Sequence, residues 1–522
     1  MNFFQRPVRK TAAPAPPPQY GRRPMPSAGS QSDAAWVRPW PRVDATFAAL
    51  AGLIVTAFMM ANDSSHVTSG LAHTTAVGVL ATLGVSFAFE ARGGLKNLVR
   101  PDLVGILALY YLTLYEFIFS QPYFDANMPD MPSVRLALWA VVLGFVGLFI
   151  GRHLVPQGRQ PFQEIMTRSV PPTWLAVILW SCFFLGFLHV LLATEFDVVK
   201  VFEAMLRARF DQPWGRGRLG DWKALITELQ LLLYLVPPLF GLMLGKRERY
   251  SAINLLLSSL AFLWLLFFGF TGGTRNVFAA YLITFLIAFT FSSPPQRRTQ
   301  VIAVAVFCGA MMVMATRVML DMRTVGLKRW LAGDMPNMIT RQNSGVFVDD
   351  NLLAISVLTQ YFPKQNQDRY LGFEIPYLAL IRPIPRAIWP GKPTGMSISI
   401  EKVFNVKGVT IAATFVGEAY MSGGLIAVLL EGLVLGMLAT FWNRFSSQKN
   451  SELGLLVYSS GFFAVTITMR SSFALTTALL PCVAGILFGK FVLPKIRQQL
   501  KPRPIVPPRL RGRASAPPPI SE

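Results

Sequence analysis

The sequence predicts an all-α polytopic membrane protein with about 12 transmembrane helices and a long extracytoplasmic loop between spans 9 and 10. Three observations carry this. Of 522 residues, 52% are hydrophobic and only 15% charged, against roughly 25% charged in ordinary soluble domains. About a dozen apolar runs approach the ~20 residues that a helix needs to cross a bilayer. The loops between them alternate in charge, so that the formal net charge of +22 falls almost entirely on one face. Together these disfavour a soluble enzyme and make the basic excess a topology signal, not a nucleic-acid footprint.

Runs bounded by charges, Gly and Pro place spans near 45–61, 68–89, 103–120, 134–151, 173–193, 224–245, 252–270, 275–292, 300–319, 422–442, 453–469 and 471–492. Arg92, Lys96 and Arg100 follow span 2, and Arg152, Arg159 and Arg168 follow span 4. Lys246, Arg247 and Arg249 follow span 6, Arg297 and Arg298 span 8, and Arg444 and Lys449 span 10. By the positive-inside rule that face is cytoplasmic and holds both termini, with anionic lipid headgroups as partners of the tails. Residues 1–42 carry Pro14, Pro16, Pro17, Pro18 and Arg22-Arg23 without an apolar core. They read as a disordered tail, not a cleavable signal peptide. Residues 494–522 read as a second disordered, Pro/Arg-rich tail, leaving 43–493 as the transmembrane domain. Cys182, Cys308 and Cys482 lie far apart inside apolar runs, so no disulfide framework or cysteine-based metal site follows.

Two outer loops stand out by length. One, about 194–223, holds Arg207, Arg209, Arg216 and Arg218 beside Trp214 and Trp222; the other runs from about 320 to 421. Within the second, Leu371 to Trp389 is apolar but broken by Pro376, Pro383 and Pro385. It predicts a short helix or re-entrant segment at the membrane surface.

Ionisable groups inside a span cost about 2.5 to 3.5 kcal/mol on insertion scales, so each is a functional candidate. His73, Glu116, His189, Glu228, Arg275, Arg317 and Glu431 all fall in the outer half of their spans, and Arg470 sits in the tight outer turn between spans 11 and 12. They are either helix-to-helix pairs, such as Glu228 with Arg275, or the lining of a polar chamber opening outward beneath the long loop. The inner halves are almost free of such groups, which suits a one-sided enzyme site better than a channel or proton-coupled carrier. The outward loops add Arg323, Arg329, Arg341, Arg369, Arg382 and Arg386 with Lys328, Lys364 and Lys392. Arginine's planar fork suits phosphate oxygens. Ion pairing with Asp321, Asp334, Asp349, Asp350, Asp368 and Glu374 is the alternative use of these cations.

Three segments carry more than composition. Thr271-Gly272-Gly273-Thr274-Arg275-Asn276 opens span 8, where glycines let backbone N–H groups and an arginine approach an anion. Ile384-Pro385-Arg386-Ala387-Ile388-Trp389-Pro390-Gly391-Lys392-Pro393 combines rigid turns, two cations and a tryptophan. Gly417-Glu418-Ala419-Tyr420, then Gly423-Gly424, lies where the chain enters span 10. In this order around a long outer loop, they resemble the Wzy-type oligosaccharide repeat-unit polymerases of bacterial O-antigen and capsule assembly. The likeness covers roughly residues 265 to 445 in detail and the rest by hydropathy.

That resemblance implies a glycosyltransferase without cofactor or metal at the periplasmic face of the inner membrane. It would transfer the growing glycan from undecaprenyl diphosphate to an incoming unit, with a chain-length regulator as a possible partner. Family members carry an arginine, ten residues and a glycine in two outer loops; Arg209 to Gly220 fits one of them, and no arginine in the fifth outer loop fits the other. The leaving group is a diphosphate, so cationic stabilisation is the largest catalytic contribution expected. Arg275 and Arg386 are the candidates for it, with Arg382, Lys392, Arg341, Arg209, Glu228 and Glu431 as further substrate-binding residues. Glu418 is the first candidate for the general base, with Asp349, Asp350 and Glu374 as rivals.

The alternatives are an O-antigen ligase, a flippase or exporter of lipid-linked units, and a metal-dependent transferase using lipid phosphate sugars. The ligase should depend on an outer-loop histidine, and His66, His73, His153 and His189 all lie outside the long loop. The metal-dependent class should carry an acidic pair in the first outer loop, which offers only Asp63 near His66.

Overall fold

A computed structural model describes residues 36–127, 130–156, 162–214, 223–333, 348–366, 368–386, 388–393, 395–398, 400–404, 411–447 and 451–500. Among these the chain is helical throughout, with eleven helices long and apolar enough to cross a membrane and one shorter apolar helix. It is a multi-pass membrane protein.

The helices that matter for the site are α1 (Val43–Ala61), α2 (Thr68–Ala91), α3 (Pro101–Thr113), α4 (Met131–Gly151), α5 (Pro172–Ala193), α6 (Val236–Gly245), α7 (Ala252–Thr271), α8 (Arg275–Ser292) and α9 (Arg298–Val325). They continue with α10 (Asn351–Tyr361), α11 (Glu374–Ile381), α12 (Thr414–Asn443), α13 (Glu452–Arg470) and α14 (Leu480–Leu487). Local chemistry sets several starts. Pro101 and Pro172 occupy first-turn positions where the missing N–H costs nothing. Asp130 caps α4 by accepting from the Ser133 N–H at 2.8 Å.

Two apolar cores form. One gathers α1 to α4 with α10 and α12; the other gathers α5 to α9 with α13. The tightest seam joins α4 to α12, where Gly147 and Gly151 face Gly432 and Gly436 at a four-residue spacing. A methyl group on Gly147 would meet the Leu429 carbonyl at 2.7 Å, and one on Gly436 the Arg152 backbone nitrogen at 3.0 Å. In lipid, where apolar burial does not drive helices together, such backbone approach supplies the packing energy.

The span positions agree with the hydropathy reading, and four details correct it. Residues 36–42 are not part of a disordered tail: Trp36 stacks on Phe291 at 5.6 Å, its N–H donates to the Ser446 carbonyl at 2.8 Å, and Val37 is buried. The helix expected to end near 492 is broken into short segments after Arg470 and then continues to Leu500, past the expected start of the second tail. Span 3 is short, with α3 ending at Thr113 and a separate 3-10 turn, Tyr115–Ile118, carrying Glu116. Span 10 starts eight residues early, at Thr414, and kinks where Gly423 and Gly424 leave helical geometry.

The kink has partners. The Leu371 and Gly372 N–H groups donate to the Met421 and Ser422 carbonyls at 2.8 and 2.9 Å, replacing helix bonds lost there. Gly424 has φ +66°, and a Cβ on it would meet the Tyr370 hydroxyl at 2.9 Å. The Leu371–Trp389 segment supplies the expected short helix, α11, whose surroundings leave Phe373, Tyr377, Leu380 and Ile388 exposed. Sequence reading missed α10, which lies buried across the ends of α3 and α4. Asn351 Nδ2 donates to the Leu112 carbonyl and the Thr359 hydroxyl to the Ser133 carbonyl, both at 2.9 Å.

Candidate functional site

The polar groups opposite the basic face converge on the turn Arg470-Ser471-Ser472-Phe473 that follows α13. Ser471 and Ser472 donate to the two Glu418 oxygens at 2.5 and 2.7 Å, and the Phe473 N–H adds a third bond at 3.1 Å. Ser472 also faces Glu431, lower on α12. Arg382 lies over the Phe473 ring, its guanidinium carbon 4.3 Å from the centroid, and donates to the Phe473 carbonyl at 3.5 Å. Three consecutive residues, Ser471, Ser472 and Phe473, thus tie the upper α12 to the long loop.

Arg470 reaches the other way. Asn276, with its amide turned to pair, accepts from Arg470 Nε at 2.7 Å and Nη1 at 3.2 Å. Arg470 Nη2 stands 3.6 Å from one Asp349 oxygen, and Arg275 Nη2 3.3 Å from the other. Arg275 Nη1 donates to the Val348 carbonyl. The Val348 and Asp349 N–H groups donate to Glu116 Oε2 at 2.8 and 3.4 Å. Arg275 owes its position to the turn between α7 and α8, where Gly273 has φ +60°, a region closed to most side chains.

A small cavity opens beside these groups. It holds about 30 Å³ and is lined by Tyr111, Arg275, Asn276, Met312, Thr316 and Asp349, among others. That is room for about one or two waters. It mixes the polar groups of Arg275, Asn276, Thr316 and Asp349 with apolar Leu112, Ala279, Met312 and Val348, and it is far smaller than the open chamber that the shared depth of the ionisable groups suggested.

The expected site residues divide. Arg275 stands at the cavity. Glu418, expected where the chain enters span 10, is buried, because the early start of α12 takes it inside a helix packed under the 470–473 turn. Arg386 donates to the Lys392 and Pro393 carbonyls at 2.9 and 2.8 Å, and Lys392 to those of Arg382 and Ile384 at 2.8 Å, so both brace their own loop. Glu228 is exposed at the end of a short helix, and the Arg275 partner is Asp349. Arg209 sits in a 3-10 turn over the Phe210 ring. Arg341 and Gly220 lie outside the described residues. Sequence reading missed Asn276 and undervalued Arg470. A lone charge in the shortest outer turn was the available signal. His73 and His189 bond through Nδ1 to the carbonyls of Phe117 and Gly186 at 2.8 Å.

A second charged cluster lies just beyond the ends of the expected spans 2, 3 and 4. On the basic face Glu90, Arg100, Asp102 and Arg152 form a quartet with side chains at most 1% exposed. Arg100 spans Glu90 at 2.9 Å and Asp102 at 2.8 Å; Arg152 lies 3.2 Å from Glu90 and also donates to the Thr46 hydroxyl. Asn443 on α12 donates to Asp102 at 2.7 Å. A larger groove of about 690 Å³ lies between α5 and α7, lined by residues such as Trp180, Phe184 and Leu185 without any ionisable group, which suits lipid chains and not a charged substrate. Among the described residues no three His, Cys, Asp or Glu side chains gather as a metal would need.

Comparison with known proteins gives one match. Residues 321–467 fit the profile of a domain of unknown function, DUF8712, which covers well under half the chain but includes Asp349, Glu418 and Glu431. No curated protein and no solved structure matches.

Proposed function

We propose that the protein polymerises lipid-linked oligosaccharide repeat units in the bacterial inner membrane, with the basic face cytoplasmic and the cavity on the periplasmic side. The observation that carries this reading is the Arg275–Asp349–Arg470 cluster, of which Arg275 and Asp349 line the cavity: two guanidiniums and a carboxylate at one membrane surface, joined through the 470–473 turn to the buried Glu418.

In this reading the diphosphate of the donor lies against Arg275 and Arg470. Their charge stabilises the negative charge that builds as the bond from the anomeric carbon to the diphosphate oxygen breaks. A hydroxyl of the incoming unit attacks that carbon and its proton passes to a carboxylate. The bonding pair leaves with the diphosphate on its lipid. A general base must reach the proton that it takes. Asp349 lines the cavity, whereas Glu418 is enclosed by three donors. The base role therefore moves to Asp349, and Glu418 becomes the positioning residue that holds the turn bearing Arg470. Arg382, Arg386 and Lys392 shape the loop over the site, and Glu431 braces Ser472 from below.

The test is reconstitution. Purified protein incubated with undecaprenyl-diphosphate-linked repeat units should lengthen the glycans; unchanged substrate moved across the bilayer would mark a flippase, and transfer to lipid A core sugars alone a ligase.

A further inference from the structure

The outer arginine pair holds an anion supplied by its own chain. Each guanidinium has part of its fork committed to protein: Arg275 Nη1 to the Val348 carbonyl, and Arg470 Nε and Nη1 to Asn276. Nη2 of each faces Asp349 at 3.3 and 3.6 Å. Charge-assisted N–H···O contacts close to about 2.7–2.9 Å; Arg100 attains that range with both its partners, whereas Arg152 in the same quartet stays at 3.2 and 3.6 Å. Asp349 thus gives one oxygen to each arginine and closes on neither. Two guanidiniums held apart at that spacing suit an ion with more oxygens and more charge than a carboxylate.

Asp349 is also placed to move. The backbone is pinned one residue earlier, where Val348 donates to Glu116 at 2.8 Å and accepts from Arg275. The Asp349 N–H is held more loosely, at 3.4 Å, its side chain is 21% exposed, and a further bond to give up is that from the Asp350 N–H to Asp349 Oδ1 at 3.2 Å. Asp350 lies close by. A phosphate added on top of Asp349 would meet the Asp349 charge with Asp350 beside it, so it takes the place of Asp349.

We infer that Asp349 is a built-in stand-in for the phosphate oxygens of a lipid diphosphate, occupying the Arg275–Arg470 pair until the ligand displaces it. This deepens the polymerase reading and rests on it. Displacement is a side-chain rotation about a fixed Val348, and it frees the carboxylate at the moment that the donor is in place. The cost appears in affinity: a ligand whose site is open for about a tenth of the time binds about tenfold more weakly than to a permanently open site.

The experiment titrates full-length protein, purified in detergent, with inorganic pyrophosphate by calorimetry. Asp349→Asn and Asp349→Ala should each bind about tenfold tighter than the parent, and Arg470→Gln should lose binding. Unchanged or weaker binding in both Asp349 variants overturns the inference. If those variants do not fold, Asp349→Glu takes their place: its longer carboxylate closes on the arginines and should weaken binding, and tighter binding contradicts the proposal. Undecaprenyl phosphate should compete with pyrophosphate well below the concentration at which inorganic phosphate does; equal competition overturns the lipid assignment. Tighter pyrophosphate binding in Asp349→Asn, together with normal polymer in a strain lacking the protein, would keep the stand-in and remove the polymerase. Lost polymer with binding indifferent to Asp349 would do the reverse.

Discussion

The two membrane faces each hold a cluster of arginines and acids, and they are built to opposite ends. On the basic face, Glu90, Arg100, Asp102 and Arg152 are two positive and two negative charges with at most 1% of any side chain exposed, and the Arg100 contacts close to 2.8 and 2.9 Å. On the opposite face Arg275, Asp349 and Arg470 are 15 to 22% exposed and stand 3.3 to 3.6 Å apart, and Arg275 and Asp349 border a cavity. A buried, closed ion group is costly to leave incomplete and does little else. A partly open one retains unused charge. Arginine count therefore does not distinguish the two clusters; exposure does.

Substitutions at the two clusters should separate stability from activity. The largest effect falls on the basic face: Arg100→Met leaves Glu90 and Asp102 sharing Arg152 alone in the interior, one buried charge uncompensated, and should cost about 3–5 kcal/mol, seen as loss of folded protein in a detergent melt. Next is Arg470→Gln, which should lower polymer formation on the order of 10²–10³-fold while the melting temperature stays near that of the parent. Comparable unfolding by both variants would erase the distinction between the clusters. Glu418→Gln, acting only through the 470–473 turn, should reduce the rate by about 10²-fold or less. A loss equal to that of Asp349→Asn would return the base role to Glu418.

The smallest effect concerns pH. His153 Nε2 lies 2.7 Å from the Thr46 hydroxyl, which also accepts from Arg152 Nε at 2.9 Å. Burial, and next to it the Arg152 charge, push the His153 pKa below its ordinary value. The unfolded chain then binds the proton more readily, so stability is fully present above the ordinary histidine pKa of about 6.5 and falls as pH drops through the folded value. The melting temperature should decline from pH 7 to pH 5, and less so in His153→Asn. An unchanged slope in that variant would remove His153 from the account.

Hydropathy and loop charge made the spans legible because each is a property of consecutive residues. Pairings were not legible. Glu116 meets Val348, Asp102 meets Asn443 and Arg470 meets Asp349 only after folding. Arg100 and Arg152 read as topology charges, since nothing in their neighbourhood reveals that they turn inward upon Glu90 and Asp102. Gly147, Gly151, Gly432 and Gly436 did carry a readable small-residue spacing for the α4–α12 seam. Arg275 was found because a glycine turn and a charge at a span start are local signals. Glu418 was read at the entrance to span 10, whereas the structure buries it, because α12 begins at Thr414, before the expected start of that span.

The most direct measurement is the polymer ladder of a strain lacking the protein and complemented with Arg470→Gln at parental membrane levels. Single repeat units with no ladder are the predicted result. A full ladder would contradict the claim that the open arginine pair, and not the closed quartet across the membrane, carries the chemistry.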